Sequence, residues 1–456
     1  MQTYDLRRSV PVESEYDLVV AGGGPAGAAA AICAARLGAK VLLVESTGCM
    51  GGMGTSGLVT AFDPMANGER MLVGGLMKEI VDTLCETGGL GPGMNPDHYA
   101  KKFMVWTPFR VECYKRLLDQ LAVDAGVEIR FFTKLIDVDA DSASRKVRGV
   151  ILHNIEGYTY IPAKTFIDAT GDAVLADLCR VTCREAGRDT PKIMPATLAS
   201  LFTGMKWDEG VHQQWKLIHK AVEDGFFTQP DRHLPGLSKV GQNIGYLNGG
   251  HMFGLNAVRC RSLSDGVMLG RRLAAEYLAF YRKYVPGCEN MEHVTTASLI
   301  GVRESRRIVG EYELNINDYQ GRRIFPDTIG VFNKFVDIHP YDTSEEAYQT
   351  FLYEKSQRHS LKAGEMFGIP YSVLVPKGWS NLWVAGRCAS SDVQVHGVIR
   401  VQPAASMMGQ AAGTAAVQSI RTGQPACDLN TRELVTTLRA ANAYLPQEEL
   451  SASMTN

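Results

Sequence analysis

The sequence predicts an α/β fold: a parallel sheet with a small antiparallel excursion, and a mixed α+β segment inserted in the chain. Three observations predict it. Residues 16 to 45, "YDLVVAGGGPAGAAAAICAARLGAKVLLVE", pass from an apolar β-branched run through a glycine turn into an alanine-rich stretch of helical length, then into a second apolar run. Residues 110 to 126, "RVECYKRLLDQLAVDAG", carry apolar residues at helical spacing and stop at a glycine, and "VEIRFFTKLIDVDAD" follows with strand alternation. Near the C-terminus "NLWVAGRCAS" reads as one more buried strand, and "QPAASMMGQAAGTAAVQSI" as a small-residue helix suited to close packing on a sheet.

Gly22, Gly24 and Gly27 form G-x-G-x-x-G between the first strand and its helix, and Glu45 ends the next strand 18 residues after the last glycine. Each position has a physical task. Gly22 permits the tight turn, Gly24 lets backbone approach a pyrophosphate, and Gly27 lets helix and strand pack closely. Pro25 and Ala26 open the helix, whose N-terminus offers free N–H groups and partial positive charge to a phosphate. Glu45 would accept hydrogen bonds from ribose hydroxyls and repel a 2′-phosphate. The reading is a Rossmann-like dinucleotide site.

Further along, "RKVRGVILHNIEGYTYIPAKTFIDATGD" reads as the antiparallel excursion, returning to a buried strand that ends at Asp168. Residues 196–365 are richer in aromatic and charged residues and carry no glycine fingerprint, which marks them as a substrate domain. Residues 1–195 and 366–440 form the nucleotide-binding domain, and 441–456 a loose tail.

Composition limits the partners. A formal net charge of -2 with 21% charged residues gives no field to attract nucleic acid or an anionic membrane, so a small molecule is expected. No stretch approaches the ~18 apolar residues of a membrane span, and the N-terminus lacks a signal-peptide core, so a cytoplasmic location is expected. The ten cysteines include no CxxC pair, and even Cys179 and Cys183 lack a matching pair or histidines at zinc spacing. No metal site is expected.

Several segments together resemble one family. "GGGPAG" at 22 to 27, "ATGD" at 169 to 172, "GVRESRRI" at 301 to 308, "DIH" at 337 to 339, "AGR" at 385 to 387 and "IRVQPAASMMGQAAGTAA" at 399 to 416 resemble FAD-dependent oxidoreductases of the glutathione-reductase-type flavoprotein superfamily. The resemblance spans nearly the whole chain. It implies FAD as cofactor, with Ala169, Gly171 and Asp172 near the pyrophosphate and ribityl chain, and Gly386 and Arg387 beside the latter. Leu135 would offer backbone groups to the adenine. The last helix would direct its N-terminus at the flavin, with Arg400 adding a full positive charge.

In "ESTGCMGGMGTSG", Glu45 to Gly57, Gly51, Gly52 and Met53 would run past the pyrophosphate, and Ser46 and Thr55 would donate to cofactor oxygens. Cys49 has no resolving partner four residues away, which argues against a disulfide reductase. "DATGDA" in place of a "GADG"-type segment argues against a flavin monooxygenase.

The expected reaction is hydride transfer between a small organic substrate and flavin N5, in a dehydrogenase or oxidase. The alternative is a non-redox isomerase or hydratase using FAD as an electrostatic scaffold. The electron acceptor would be oxygen, a quinone or a carrier protein, and self-association is compatible with the sequence. The catalytic candidates are His396, Arg400, Arg303, His251 and His339, with His396 foremost because it lies four residues before Arg400. Arg303, Arg306 and Arg307 at helical spacing read either as an anion clamp or as an ion-pair network.

Overall fold

The computed structural model describes residue 4 and residues 6–190, 192–357 and 360–446. Strand Tyr16–Ala21 is buried except at Asp17, because it is central in its sheet. It pairs in parallel with Val41–Val44 on one side and with the C-terminal half of Gly157–Asp168 on the other. Glu128–Arg130 extends the sheet past Val41–Val44, and Leu382–Val384 joins Gly157–Asp168 in parallel.

The antiparallel excursion is built from Lys134–Asp141, Lys146–Asn154 and the N-terminal half of Gly157–Asp168. That last strand, at 12 residues, is long enough to change neighbours halfway and tie the excursion to the sheet.

Helix Pro25–Arg36 makes the crossover between the first two strands, and helix Gln402–Thr422 lies directly on it. A Cβ at Gly409 would stand 2.0 Å from the Ala26 carbonyl oxygen, and one at Gly413 2.3 Å from that of Ala30. The sequence suggests that this helix packs on a sheet; its closest contact is another helix. Glycine on one side and alanine on the other remove the side chains that ordinarily hold helix axes about 8–10 Å apart.

The inserted segment has its own four-stranded antiparallel sheet, in the order Gly236–Lys239, Gly245–Asn248, Ser200–Thr203, Glu292–Thr296. Helices Gln214–Glu223 and Cys260–Tyr284 close over Phe202, Ile218, Phe280 and Tyr281 to form its core. Beyond Glu292–Thr296 the chain returns: Leu314, Phe332 and Phe367 are buried in the same core as Ile32 and Met408.

Two local expectations are corrected or bounded. "GVRESRRI" is not helical; Arg306–Ile308 is a strand paired with Cys183–Glu185, so Arg306 and Arg307 point to opposite faces. At the other end, residues 441–446 are anchored, since Gly75 N–H donates to the Asn442 carbonyl at 2.8 Å and Leu445 is buried. The remainder of the segment expected to be loose, 447–456, lies outside the described residues. Among the described residues no helix is long and apolar enough to cross a membrane.

The helix crossing yields a direct expectation. Gly413→Val should cost about 3 kcal/mol, the upper end for overpacking, and lower the thermal midpoint followed by circular dichroism. An unchanged midpoint would contradict the crossing.

Candidate functional site

The glycine fingerprint is sterically enforced. Gly22 has φ of +95°, and a Cβ there would meet the Ala169 carbonyl oxygen at 2.6 Å. A Cβ at Gly27 would stand 1.7 Å from the Gly22 carbonyl oxygen. Gly24 differs: no atom lies within 4 Å of where its Cβ would be. The helix that starts there, with Pro25, Ala26 and Gly27 in its first turn, has no side-chain cap. Uncapped N–H groups beside open space are an anion cradle.

Glu45 closes one side of that cradle. Its carboxylate accepts from Gly23 N–H and Thr47 N–H, both at 2.7 Å, and from Ser46 Oγ at 3.2 Å. The following loop folds back on the fingerprint: Gly51 N–H donates to the Gly23 carbonyl at 2.8 Å, and a Cβ at Gly52 would come within 2.9 Å of Gly24 Cα. The Thr55 hydroxyl donates within the loop, to the Met50 carbonyl at 2.6 Å, and the Met53 carbonyl accepts from Val59 N–H at 2.8 Å. Thr55 and Ser46 therefore hold the loop's own shape. Leu135 pairs with Leu152 in the excursion, two residues after Thr133 N–H bonds the Glu45 carbonyl. Cys49 Sγ lies 3.2 Å from Ser56 Oγ, and all ten cysteines are free.

On the far side of the sheet's end, Arg387 binds three groups: the Gly171 carbonyl at 2.8 Å, Asp172 Oδ1 at 2.6 Å, and the Val302 carbonyl. Ser305 Oγ also donates to Asp172, at 2.6 Å. This knot joins the strand ends at Ala169 and Gly386 to residues 302–305. Gly386, at φ +88°, fits because a Cβ would touch that of Ala26 at 3.0 Å.

A buried polar cluster lies where the inserted segment meets the start of helix Gln402–Thr422. Arg400 donates to both the Asp337 carbonyl and its Oδ2 at 3.0 Å, and Lys334 Nζ approaches the same Oδ2 at 3.2 Å. Asp337 Oδ1 faces His339 Nε2 at 3.3 Å; His339 Nδ1 faces His251 Nε2 at 3.1 Å; His251 Nδ1 faces Asp231 Oδ2 at 2.6 Å. His233 stacks parallel to His251 and edge-on to His339. Arg303 donates to the Pro195 carbonyl at 2.6 Å and to Thr197 Oγ1 at 2.8 Å.

The electrostatics of the cluster follow from burial and neighbours. Burial opposes ionisation of Asp337, but Lys334, His339 and Arg400 outweigh it and hold the carboxyl well below its usual range. For Asp231, burial is likewise outweighed by His251. Burial, then the Arg303 charge, push His339 well below the imidazole range, and burial with His251 takes His233 down to about 3. Both rings are neutral at neutral pH.

A family model described as FAD dependent oxidoreductase matches residues 17–438. The chain belongs to the FAD dependent oxidoreductase family. Over 47 residues it is 54% identical to dihydrolipoyl dehydrogenase of Trypanosoma brucei brucei, a match spanning only 10% of either chain. A geranylgeranyl bacteriochlorophyll reductase-like protein from Thermoplasma acidophilum is 13% identical, with 94% of this chain and 83% of that one covered and a TM-score of 0.49. Anhydrotetracycline hydroxylase from Streptomyces rimosus is 12% identical, with 94% and 65% covered and a TM-score of 0.44. Likenesses this distant carry no argument about chemistry.

The cofactor of the family, FAD, fits the residues present. The uncapped helix at Gly24 opens on empty space, and helix Gln402–Thr422 likewise has no side-chain cap. Beside that second N-terminus two buried polar atoms have no hydrogen-bond partner among the described residues, Arg400 Nε and Gln402 Oε1. Orphaned groups of this kind are costly unless a ligand meets them.

Of the catalytic candidates, Arg400, Arg303, His251 and His339 come together. His396 stands apart: it is buried in helix Val393–Ile399, where its Nε2 bonds the Arg303 carbonyl at 2.9 Å. Burial, then Arg307 and Arg400, push it well below the imidazole range, so it is a neutral brace for the Arg303 backbone. Arg306 pairs with Asp177 at 3.1 Å and Arg307 with Glu304 at 3.7 Å, the ion-pair alternative, while Arg303 alone turns into the cluster. Sequence reasoning missed Asp231, His233, Lys334 and Asp337 as site residues. A signal existed in the twice-used D-x-H, Asp231-Arg232-His233 and Asp337-Ile338-His339.

Gly24→Val should leave the thermal midpoint of the apoprotein unchanged while weakening FAD binding at least about tenfold, a ~1.4 kcal/mol effect. Gly27→Val should instead prevent folding. Equal behaviour of the two variants would contradict the cradle. Cys49→Ser should retain FAD and turnover; loss of turnover with FAD bound would assign the thiol a chemical role.

Proposed function

We propose that the protein oxidises a small organic acid by hydride transfer to FAD, within the glutathione-reductase-type branch of flavoproteins. One observation carries the reading. Arg303, 6% exposed, has no carboxylate partner among the described residues, although burial and the nearby Arg400 charge push its guanidinium down to about 10. A buried cation without a counter-ion is unfavourable, and an Arg fork is matched by a planar carboxylate. The substrate supplies that carboxylate.

Gly22, Gly24, Ala26, Gly27 and Glu45 would hold the ADP half of the cofactor, and Gly51, Gly52, Gly171, Gly386 and Arg387 its middle. Bound FAD supplies the hydride acceptor. The helix beginning at Gln402 presents the positive end of its dipole where negative charge develops, and Arg400 adds to it, tempered by Asp337. Arg303 fixes the acid's orientation, and the adjacent histidine cluster is where the substrate's hydroxyl or amine proton is removed.

The test is anaerobic mixing of the FAD-loaded protein with small 2-hydroxy and 2-amino acids and with their amides. The acids should bleach the flavin absorbance near ~450 nm and the amides should not. Arg303→Ala should retain FAD and lower kcat/KM roughly 10- to 150-fold, the effect of losing a charged hydrogen bond of about 1.5–3 kcal/mol. Equal bleaching by amides, or an unchanged kcat/KM in Arg303→Ala, would overturn the reading.

A further inference from the structure

Three histidine rings converge in the cluster, and two of them face each other in a way that hydrogen bonding alone leaves unresolved. His251 Nδ1 meets Asp231 at 2.6 Å, and His339 Nε2 meets Asp337 at 3.3 Å. A carboxylate only accepts, so each claims the N–H of its ring. With both rings neutral, that leaves His251 Nε2 and His339 Nδ1 as lone pairs, 3.1 Å apart. Two such acceptors repel unless a proton or a metal ion lies between them.

The spacing suits a metal ion. Imidazole nitrogens bound to one ion at about 2.0–2.1 Å stand about 2.9–3.4 Å apart for bond angles between octahedral and tetrahedral. The third ring is in reach: the ligating atoms of His233, His251 and His339 all lie within 4.8 Å of one another. His233 is the half-buried member of the three; among the described residues its ring makes no hydrogen bond, and it packs against His251, His339 and Phe351. Hydrogen bonding of two of the rings to carboxylates through their outer nitrogens is the arrangement that fixes imidazole ligands on a metal.

We propose that His233, His251 and His339 bind a divalent first-row transition-metal ion of the zinc or iron(II) class, with Asp231 and Asp337 orienting two of the rings. Imidazole donors select such ions over magnesium or calcium. Three donors leave a coordination position open for water or a substrate oxygen. Arg303, Lys334 and Arg400 oppose a cation here, and Asp231 and Asp337 offset them in part. The inference rests on the geometry of the three rings and does not depend on the hydride-transfer reading. Were both to hold, the substrate's proton would be lost from an oxygen on the ion in place of direct removal by a bare imidazole.

The test is equilibrium dialysis of the chelator-treated, FAD-loaded full chain against zinc chloride, with elemental analysis and the flavin spectrum read on the same samples. Roughly one zinc per flavin should be retained. His251→Ala and His339→Ala should abolish retention, His233→Phe should do so with its aromatic packing kept, and Asp231→Asn should weaken zinc about 10- to 100-fold. The flavin spectrum reports that each variant is folded. FAD-loaded protein that retains no zinc, or histidine variants that retain it as well as wild type, would overturn the inference and assign the 3.1 Å contact to a shared proton. Discrimination between acids and amides in flavin bleaching, which reads Arg303, tests the other reading separately.

Discussion

The rest of the architecture depends on the close crossing of helices Pro25–Arg36 and Gln402–Thr422. Gly409 lies on the Ala26 carbonyl and Gly413 on that of Ala30, so both helices advance in the same sense and begin on the same side of the molecule. A Cβ at Gly386 would stand 3.0 Å from that of Ala26 and 3.7 Å from that of Ala405, so the chain after Val384 passes close to both helices. Two uncapped N-termini, one at Gly24 and one at Gln402, are thereby fixed at one end of the sheet. Their dipoles favour negative charge, and on the proposed reading a phosphate meets the first and a ring that gains charge the second.

Around this frame the inserted segment brings a second set of demands. Its strands carry Thr197 and Asn248 toward Arg303 and His251 toward His339, and the returning chain carries Lys334 and Asp337 against Arg400. Burying so many ionisable groups is unfavourable unless each is paired. Most are paired, in the chain from Asp231 through two histidines to Asp337, Lys334 and Arg400. The exceptions are informative: among the described residues Arg303 is in no ion pair with a carboxylate, the His251 and His339 nitrogens face each other at 3.1 Å, and Arg400 Nε and Gln402 Oε1 are unmet. Buried polar groups left open next to one another mark a place shaped for something the chain itself does not provide.

The nucleotide half was legible in the sequence because its requirements are local. Gly22 and Gly27 are dictated by carbonyls within the same turn or the adjacent strand end, and Glu45 by the length of one strand-helix-strand unit. The antiparallel excursion was legible for the same reason, through alternation in consecutive residues. The buried cluster was not. Its members come from positions 231 to 400, and only the chain's return past the inserted segment joins them; Asp231 bonds His251 and not the His233 of its own D-x-H. Local spacing also misled at Arg303 to Arg307, where intervals of three and four fit a helix but pairing with Cys183–Glu185 decides for a strand. His396 drew notice by its nearness in sequence to Arg400, yet one turn of helix directs it to the Arg303 carbonyl.

The most direct measurement is a crystal structure of the protein reconstituted with FAD. The account predicts the pyrophosphate at the N–H groups after Gly24, and the isoalloxazine ring between the Gln402 helix terminus and the cluster of Arg303 and His339. Arg400 Nε or Gln402 Oε1 would then be hydrogen-bonded to the ring. A ring bound away from that helix terminus, with both atoms still unpartnered, would contradict it.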